Sequence, residues 1–176
     1  MRTGILINLF SFTPASATGV FVYVDNLVRE LVRIDAGRTY WIVVRKDMHS
    51  YLRIALGDKA NVRYIVFGKF SLFLSKVASR LLKKRSIFET AMRRRLQTAI
   101  DRYNIRIVFF PSGSLNPQGL RGVATVVTLY DLQYEYFPDN FPPKYLKIRR
   151  EGNQTAAQLA DHILAISEFT KMTLIE

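Results

Sequence analysis

Residues 4–34 read GILINLFSFTPASATGVFVYVDNLVRELVRI, and this stretch decides the fold class. It opens with a continuous apolar run at residues 4–10, the pattern of a strand buried on both faces of a sheet. From Gly19 to Ile34 apolar residues recur at three-to-four-residue spacing, which predicts an amphipathic helix packed on that sheet. A buried strand that leads into such a helix is the first unit of a parallel α/β sheet.

The same alternation continues to the end of the chain. It predicts further strands at residues 40–44, 62–67, 105–110, 122–129 and 162–166, and further helices at 49–56 and 142–160. We therefore expect one α/β domain, a mainly parallel sheet with helices on both faces. Ligands of such sheets bind outside the carboxyl ends of the strands. Function is thus expected in the loops at 11–19, 111–116, 130–143 and 167–171.

The composition excludes several classes of protein. With 49 % apolar residues, 9 Gly and 6 Pro in 176 residues, the chain is neither disordered nor collagen-like. It contains no cysteine, which excludes disulfides, thiolate metal sites and cysteine nucleophiles and favours an intracellular protein. Residues 1–10 indicate an opening strand rather than a signal peptide, and no run reaches the ~20 apolar residues of a membrane span.

Positive charge is concentrated in one segment. The chain carries 26 Lys and Arg against 14 Asp and Glu, and residues 61–102 alone hold 11 basic and 2 acidic residues. Apolar residues at helical spacing accompany them, which predicts a basic amphipathic helical segment at about 69–102. This pattern is typical of contact with an anionic membrane surface. The cations expected to make that contact are Lys76, Arg80, Lys83, Lys84, Arg85, Arg93, Arg94 and Arg95. Nucleic acid is the competing partner, disfavoured because no nucleic-acid motif accompanies the charge.

The loop SFTPASATGV at residues 11–20 leads into the helix that begins at Gly19. Backbone N–H groups at a helix N-terminus attract anions, and glycine lets a phosphate approach closely. Thr18 could equally cap the helix as a purely structural residue. A single glycine does not decide between these two interpretations.

The segment TLYDLQYEYFPDNFPP at residues 128–143 combines aromatic rings, carboxylates and an amide directly after a predicted strand. Such side chains commonly line sites for sugars, although the aromatic residues could instead pack into a local cluster. No metal site or catalytic nucleophile is visible. His162 lies in an apolar strand pattern, where we expect a buried core imidazole, and Ser112 lies in a turn sequence without the context of a nucleophile.

Several motifs in this order resemble the N-terminal half of the retaining glycosyltransferases of family 4. They are the helix at Gly19, IVFFPSG at 107–113, VVTLYDLQYEYFPDNF at 126–141 and HILAISEFTK at 162–171. The resemblance implies a glycosyltransferase B fold, in which two Rossmann-like domains face each other across a cleft. Residues 1–176 would form the acceptor-binding domain. The donor domain, in the same chain or in a separate one, would bind a nucleotide-sugar, and without it we expect no activity.

The resemblance also implies roles for particular residues. Gly19 would lie against the donor phosphates, and Tyr130 and Asp131 would be the catalytic residues beside the transferred sugar. Residues expected at the cleft edge or on the acceptor side are Gln133, Glu135, Ser167, Glu168 and Lys171. The family usually has His where this chain has Tyr130, so a catalytically degenerate scaffold or regulatory domain is the alternative.

The expected reaction is transfer of a sugar from a nucleotide-sugar to a saccharide or lipid-linked acceptor, in the biosynthesis of a polysaccharide. In the family, retention of configuration is described as same-face attack in one ion-pair-like step, which needs no protein nucleophile. We expect no cofactor and no metal ion. By the same resemblance and the basic segment, the protein would be cytoplasmic and peripheral on the inner face of the membrane.

Overall fold

A computed structural model describes residues 3–15, 18–68 and 86–175. Within these residues six strands form one sheet, every neighbouring pair is parallel, and the strand order is β3-β2-β1-β4-β5-β6. This is the strand order of Rossmann-like sheets, as expected. The strands are β1 (Gly4–Asn8), β2 (Thr39–Arg45), β3 (Val62–Phe67), β4 (Ile105–Phe110), β5 (Ala124–Leu129) and β6 (His162–Ala165).

Helices cover both faces of the sheet. They are α1 (Gly19–Ile34), α2 (Lys46–Leu56), α3 (Ser86–Tyr103), α4 (Gln133–Tyr136), α5 (Pro143–Leu159) and α6 (Glu168–Ile175), with a 3₁₀ turn at Pro138–Asn140. α1 and α2 pack on the face that carries Ile7 and Ile42, and α3 and α5 pack on the face that carries Leu6 and Val108. The predicted α/β fold with helices on both faces is confirmed.

The helical spacing in the sequence identified the buried residues correctly. The core-facing residues of α1 are Phe21, Val24, Val28 and Val32, all buried, as their spacing requires. In α3, Met92, Leu96 and Ile100 are buried at intervals of one turn. The predicted ends of helices and strands differ from the observed ends by at most three residues. Strand β1 ends at Asn8 because the Asn8 side chain then accepts a hydrogen bond from the N–H of Phe10.

One buried residue was predicted wrongly. His162 was expected to be a core imidazole, but it is exposed at the start of β6. β6 pairs only with β5 among the described strands, and its first three residues are exposed. An apolar run predicts a strand, but it does not reveal that the strand lies at an edge of the sheet.

The basic segment is described only in part. Lys76, Arg80, Lys83, Lys84 and Arg85 lie outside the described residues. From Ser86 onward the segment is helical, as predicted, and Arg93, Arg94 and Arg95 are exposed on α3. Among the helices in the described ranges, none has the length and apolarity needed to cross a bilayer.

The strand order creates a crevice between β1 and β4. The chain leaves β1 toward β2 on one side and returns through α3 to β4 on the other, so the loops after β1 and β4 diverge. Asn8, at the end of β1, connects these loops: its Nδ2 donates to the carbonyl oxygen of Asn116 at 2.8 Å. Its Oδ1 accepts the N–H of Phe10 at 3.1 Å, and the side chain is buried. Ligands of such sheets bind at this position.

Replacing Asn8 with Leu tests this connection. The change removes both hydrogen bonds from a buried position, so we expect the free energy of unfolding in urea to fall by about 2–4 kcal/mol. Asn26→Leu is the control, because Asn26 is exposed on α1 and bonds only to the carbonyl of Val22 in its own helix. It should cost less than ~0.5 kcal/mol. Equal losses in the two variants would contradict a special role for Asn8.

Candidate functional site

Tyr130 joins three elements at the carboxyl edge of the sheet. It follows the last residue of β5, and its hydroxyl donates a hydrogen bond to the carbonyl oxygen of Pro111, just after β4. Its ring meets the ring of Tyr23 on α1 edge-on, with centroids 5.7 Å apart. Burial raises the pKa of the Tyr130 hydroxyl well above its usual value, and Tyr23 shifts this pKa further in the same direction. Tyr130 therefore stays protonated at physiological pH.

The hydrogen bond to Pro111 limits what Tyr130 offers a ligand. A phenol has one hydrogen to donate, and here Pro111 receives it. The phenolic oxygen can still accept a hydrogen bond from a ligand hydroxyl. Tyr130 thus provides an acceptor and an aromatic face, and it lacks the readily exchanged proton of an imidazole.

The start of α6 is fixed to the same place. Thr170 is buried, and its Oγ1 donates to the carbonyl oxygen of Tyr130 at 3.1 Å. Ser167 caps the helix: its Oγ accepts the N–H of Thr170 at 3.1 Å and lies 3.0 Å from Thr170 Oγ1. These contacts connect Ser167 to Tyr130 through Thr170, while a place for Ser167 and Glu168 at a cleft edge stays a prediction. Thr170 itself was missed: a Ser before the start of a helix is the signal of an N-cap, but it does not indicate the bond from Thr170 to Tyr130.

Asp131 lies next to Tyr130 and is exposed. Its Oδ1 accepts the backbone N–H of Gln133 at 3.2 Å, which orients the carboxylate at the start of α4. Gln133 is exposed as well. An exposed carboxylate and an exposed amide at this edge are suited to hydrogen bonding with a polyhydroxylated ligand.

Two other predicted site residues are ion-paired within the domain. The carboxylate of Glu135 accepts bidentate hydrogen bonds from the guanidinium of Arg150 on α5, at 2.7–3.0 Å. The ammonium of Lys171 lies 2.8 Å from the carboxylate of Glu168. Both pairs are largely exposed, so a ligand could displace either at low cost. Glu135 is thus paired with α5, and its role on the acceptor side stays a prediction.

Gly19 is exposed at the N-terminus of α1, and a Cβ there would meet nothing within 4 Å. Thr18 caps the helix, because its Oγ1 accepts the N–H of Phe21 at 3.3 Å. The structural interpretation of Thr18 is thus confirmed, while phosphate contact at Gly19 stays a prediction. Gly19 precedes Tyr23 by four residues, so the two share one face of α1, a turn apart. Gly19 thus lies one helical turn before Tyr23, whose ring contacts Tyr130.

The aromatic residues at positions 134, 136 and 137 divide into two groups. Tyr134 is buried, and its hydroxyl accepts a hydrogen bond from Asn153 on α5, so it packs locally. Tyr136 and Phe137 are 51 % and 57 % exposed and remain available for contact. In the part of the chain that the structure describes, no group of three or more His, Asp or Glu residues could hold a metal ion. The chemistry that this site offers is hydrogen bonding and ring stacking.

The comparison with protein families agrees with the observed fold. The family model described as Glycosyltransferase Family 4 matches residues 17–176, which include every loop from the start of α1 to α6. No curated protein matches the chain. The match covers most of the chain, and the parallel sheet is the fold that the resemblance implied. The chain therefore belongs to glycosyltransferase family 4.

Proposed function

We propose that this domain is the acceptor-binding half of a retaining glycosyltransferase and presents a saccharide acceptor to a sugar carried by a nucleotide on a second domain. The supporting observation is the convergence on Tyr130 of the end of β4, the start of α1 and the start of α6. This convergence leaves Asp131 and the N-terminus of α1 exposed at one edge.

The N-terminus of α1 is the part of this edge suited to the donor phosphates. A helix of 16 residues carries a partial positive charge at its first turn, and the N–H groups there point along the axis. Thr18 satisfies the N–H of Phe21. The N–H groups of Gly19 and Val20 belong to the first turn, where a helix offers no acceptor of its own.

The transfer step needs no protein nucleophile if the leaving phosphate itself assists attack on the same face. The protein then has to position the acceptor hydroxyl and stabilise charge. Asp131 would accept the hydrogen of a sugar hydroxyl, and the phenolic oxygen of Tyr130 would accept another. Ser167, Glu168 and Lys171 would form the rim that faces the second domain.

We also propose that the enzyme acts on a lipid-linked acceptor and is peripheral on the inner, cytoplasmic face of the membrane. Support comes from the excess of basic residues at 61–102 beside apolar residues at helical spacing. Arg95 has a second role, since its guanidinium donates to the carbonyl of Val66 at 2.9 Å and lies over the Phe67 ring.

One observation favours a second candidate function. The family's usual His is replaced by Tyr130, whose only proton is donated to a backbone carbonyl. A domain with this arrangement could serve as a scaffold or regulatory partner for another transferase.

Transfer should require the carboxylate of Asp131. We expect the chain alone to release no nucleotide from nucleotide-sugars, and a donor domain, fused or added, to restore transfer to a saccharide. In the restored enzyme, Asp131→Asn should lower kcat/KM by about a hundredfold, because an amide accepts a hydroxyl hydrogen less strongly than a carboxylate does. Asp139→Asn, an exposed acid on the neighbouring 3₁₀ turn, is the matched control and should change kcat/KM less than threefold. Transfer by the chain alone would contradict this division of roles.

Replacing Tyr130 with His separates the two candidate functions. If Tyr130 is adapted to catalysis, Tyr130→His should leave transfer unchanged or lower it, because the imidazole loses the hydrogen bond to Pro111 and the fit against Tyr23. If the domain is degenerate, the wild type should be inactive and Tyr130→His should raise transfer by about a hundredfold, a typical contribution of acid–base catalysis. Tyr130→Phe keeps the ring but not the hydroxyl, and the thermal midpoint of each variant controls for misfolding.

Binding to anionic vesicles tests the membrane proposal. Changing Lys83, Lys84 and Arg85 to Gln removes three cations, each of which should contribute on the order of 1 kcal/mol at an anionic surface, so binding should weaken roughly a hundredfold. The control changes three exposed cations elsewhere, Lys46, Lys59 and Arg106, and has the same net charge. Equal weakening in both triple variants would indicate a general charge effect and contradict a specific membrane surface.

A further inference from the structure

The connection between β4 and β5 departs from the usual form of a parallel pair. Neighbouring parallel strands are commonly joined by a helix that packs on the sheet. Here β4 ends at Phe110 and β5 begins at Ala124, and the residues between them form no helix. The helices on that face, α3 and α5, therefore have only this loop between them, which leaves open space beside the sheet.

Two adjoining cavities occupy this space. One has a volume of about 670 Å³ and the other about 540 Å³, and both are lined by Arg93, Leu115, Pro117 and Gln118. We call the two together the α3–α5 groove. Each volume is in the range of small-molecule sites in proteins, so the groove can hold an extended ligand.

The larger cavity has the lining of a saccharide site. Besides the guanidinium of Arg93, its polar residues are two carboxylates, two amides and three hydroxyls: Glu89, Glu151, Asn116, Gln118, Thr90, Ser114 and Thr155. Amides and hydroxyls both donate and accept hydrogen bonds, as sugar hydroxyls do. Leu115 and Pro117 add apolar surface for the C–H groups of a sugar ring. Across both cavities the lining holds the carboxylates of Glu89, Glu151 and Asp161 against the guanidinium of Arg93, so its net charge is negative. A net negative lining disfavours an anionic ligand and favours a neutral or amino sugar.

Arg93 contributes donors to the groove. It lies on α3 two residues before Arg95, so the two side chains leave the helix on nearly opposite sides. Arg95 turns to β3, whereas Arg93 Nη1 lies 3.4 Å from the position of a Cβ on Gly119, in the loop that borders the groove. Within residues 3–15, 18–68 and 86–175, Arg93 has no hydrogen-bond or ion-pair partner. Its guanidinium can therefore donate to ligand oxygens.

The groove begins beside the candidate site. Ser114 lines the larger cavity and belongs to the loop whose Pro111 carbonyl holds Tyr130. In the same loop, a Cβ on Gly113 would lie 3.8 Å from the Tyr130 ring. An acceptor whose reacting hydroxyl lies at Asp131 can thus extend along this loop into the groove.

We propose that the α3–α5 groove binds the sugars of the acceptor that follow its reacting end, and that they belong to a neutral or amino-sugar oligosaccharide. This inference rests on the proposed acceptor-binding function and adds its substrate class and a second binding region. The side chains that would determine specificity are Arg93, Gln118 and Thr155.

The first test uses the chain as it is, without a donor domain. The fluorescently labelled protein is applied to an array of neutral, amino-sugar and uronic-acid oligosaccharides, and the affinity for the best-retained glycan is measured by calorimetry. We expect a neutral or amino-sugar glycan to bind. Thr155→Trp, which fills the groove, and Arg93→Met should each weaken binding at least tenfold. Gln158→Trp, an exposed position on α5 outside the groove lining, should leave it unchanged.

A second readout does not depend on large substitutions. Because the chain contains no cysteine, Thr155→Cys carries a single thiol in the groove. The bound glycan should slow alkylation of this thiol by a maleimide at least fivefold, and it should not protect Gln158→Cys.

The outcomes separate the two proposals. In one outcome, Asp131→Asn weakens glycan binding, the groove variants do not, and the glycan does not protect the thiol at position 155. That outcome would overturn the groove and keep the proposed function. Binding in the groove without any transfer after addition of a donor domain would keep the groove and overturn the function. Retention of uronic-acid glycans alone, or of no glycan, would overturn the groove assignment.

Discussion

Parallel pairing of all the described strands is the constraint on which the rest of this domain depends. It brings every carboxyl end to one edge of the sheet, and it requires the chain to cross back over the sheet between strands. The crossings supply α1 and α2 on one face and α3 and α5 on the other. The loops that follow β1, β4 and β5 then meet at the edge where a ligand can reach them. The position of the site is therefore a consequence of topology, before any side chain is considered.

Side-chain hydrogen bonds to backbone carbonyls fix the loops at this edge in succession. Asn8 at the end of β1 bonds to the carbonyl of Asn116, Tyr130 after β5 to that of Pro111, and Thr170 on α6 to that of Tyr130 itself. Each of these carbonyl groups lies outside the strands, so the side chain supplies its hydrogen bond. Each bond also joins two segments that are far apart in sequence. A site connected in this way loses little conformational entropy when a ligand binds, which favours affinity and accurate positioning.

The sequence was sufficient for the fold because periodicity reports which side of an element is buried. The spacing of Phe21, Val24 and Val28 identified α1, and the carboxyl-edge rule predicted which loops form the candidate site. Side-chain contacts between different elements could not be predicted. The hydrogen bond from Tyr130 to Pro111, for example, spans 19 residues, and no local sequence pattern encodes it. The error at His162 has the same origin, because hydropathy does not report how many neighbours a strand has. The α3–α5 groove also escaped prediction, because it depends on how far α5 lies from α3.

The arginines of α3 illustrate why charge in a sequence differs from charge on a surface. Arg93, Arg94 and Arg95 read as one basic cluster, but successive residues of a helix are turned by about 100° from each other. Arg95 lies on the ring of Phe67, and Arg93 lines the groove on the other side of the helix. Arg93 and Arg95 therefore lie on opposite sides of Arg94, and each side chain already contacts another part of the domain. Of the eight cations expected at a membrane, three lie on α3, and membrane contact by these three stays a prediction. A run of arginines in a sequence thus does not by itself define one charged surface, because Arg95 packs on a ring and Arg93 lines a groove.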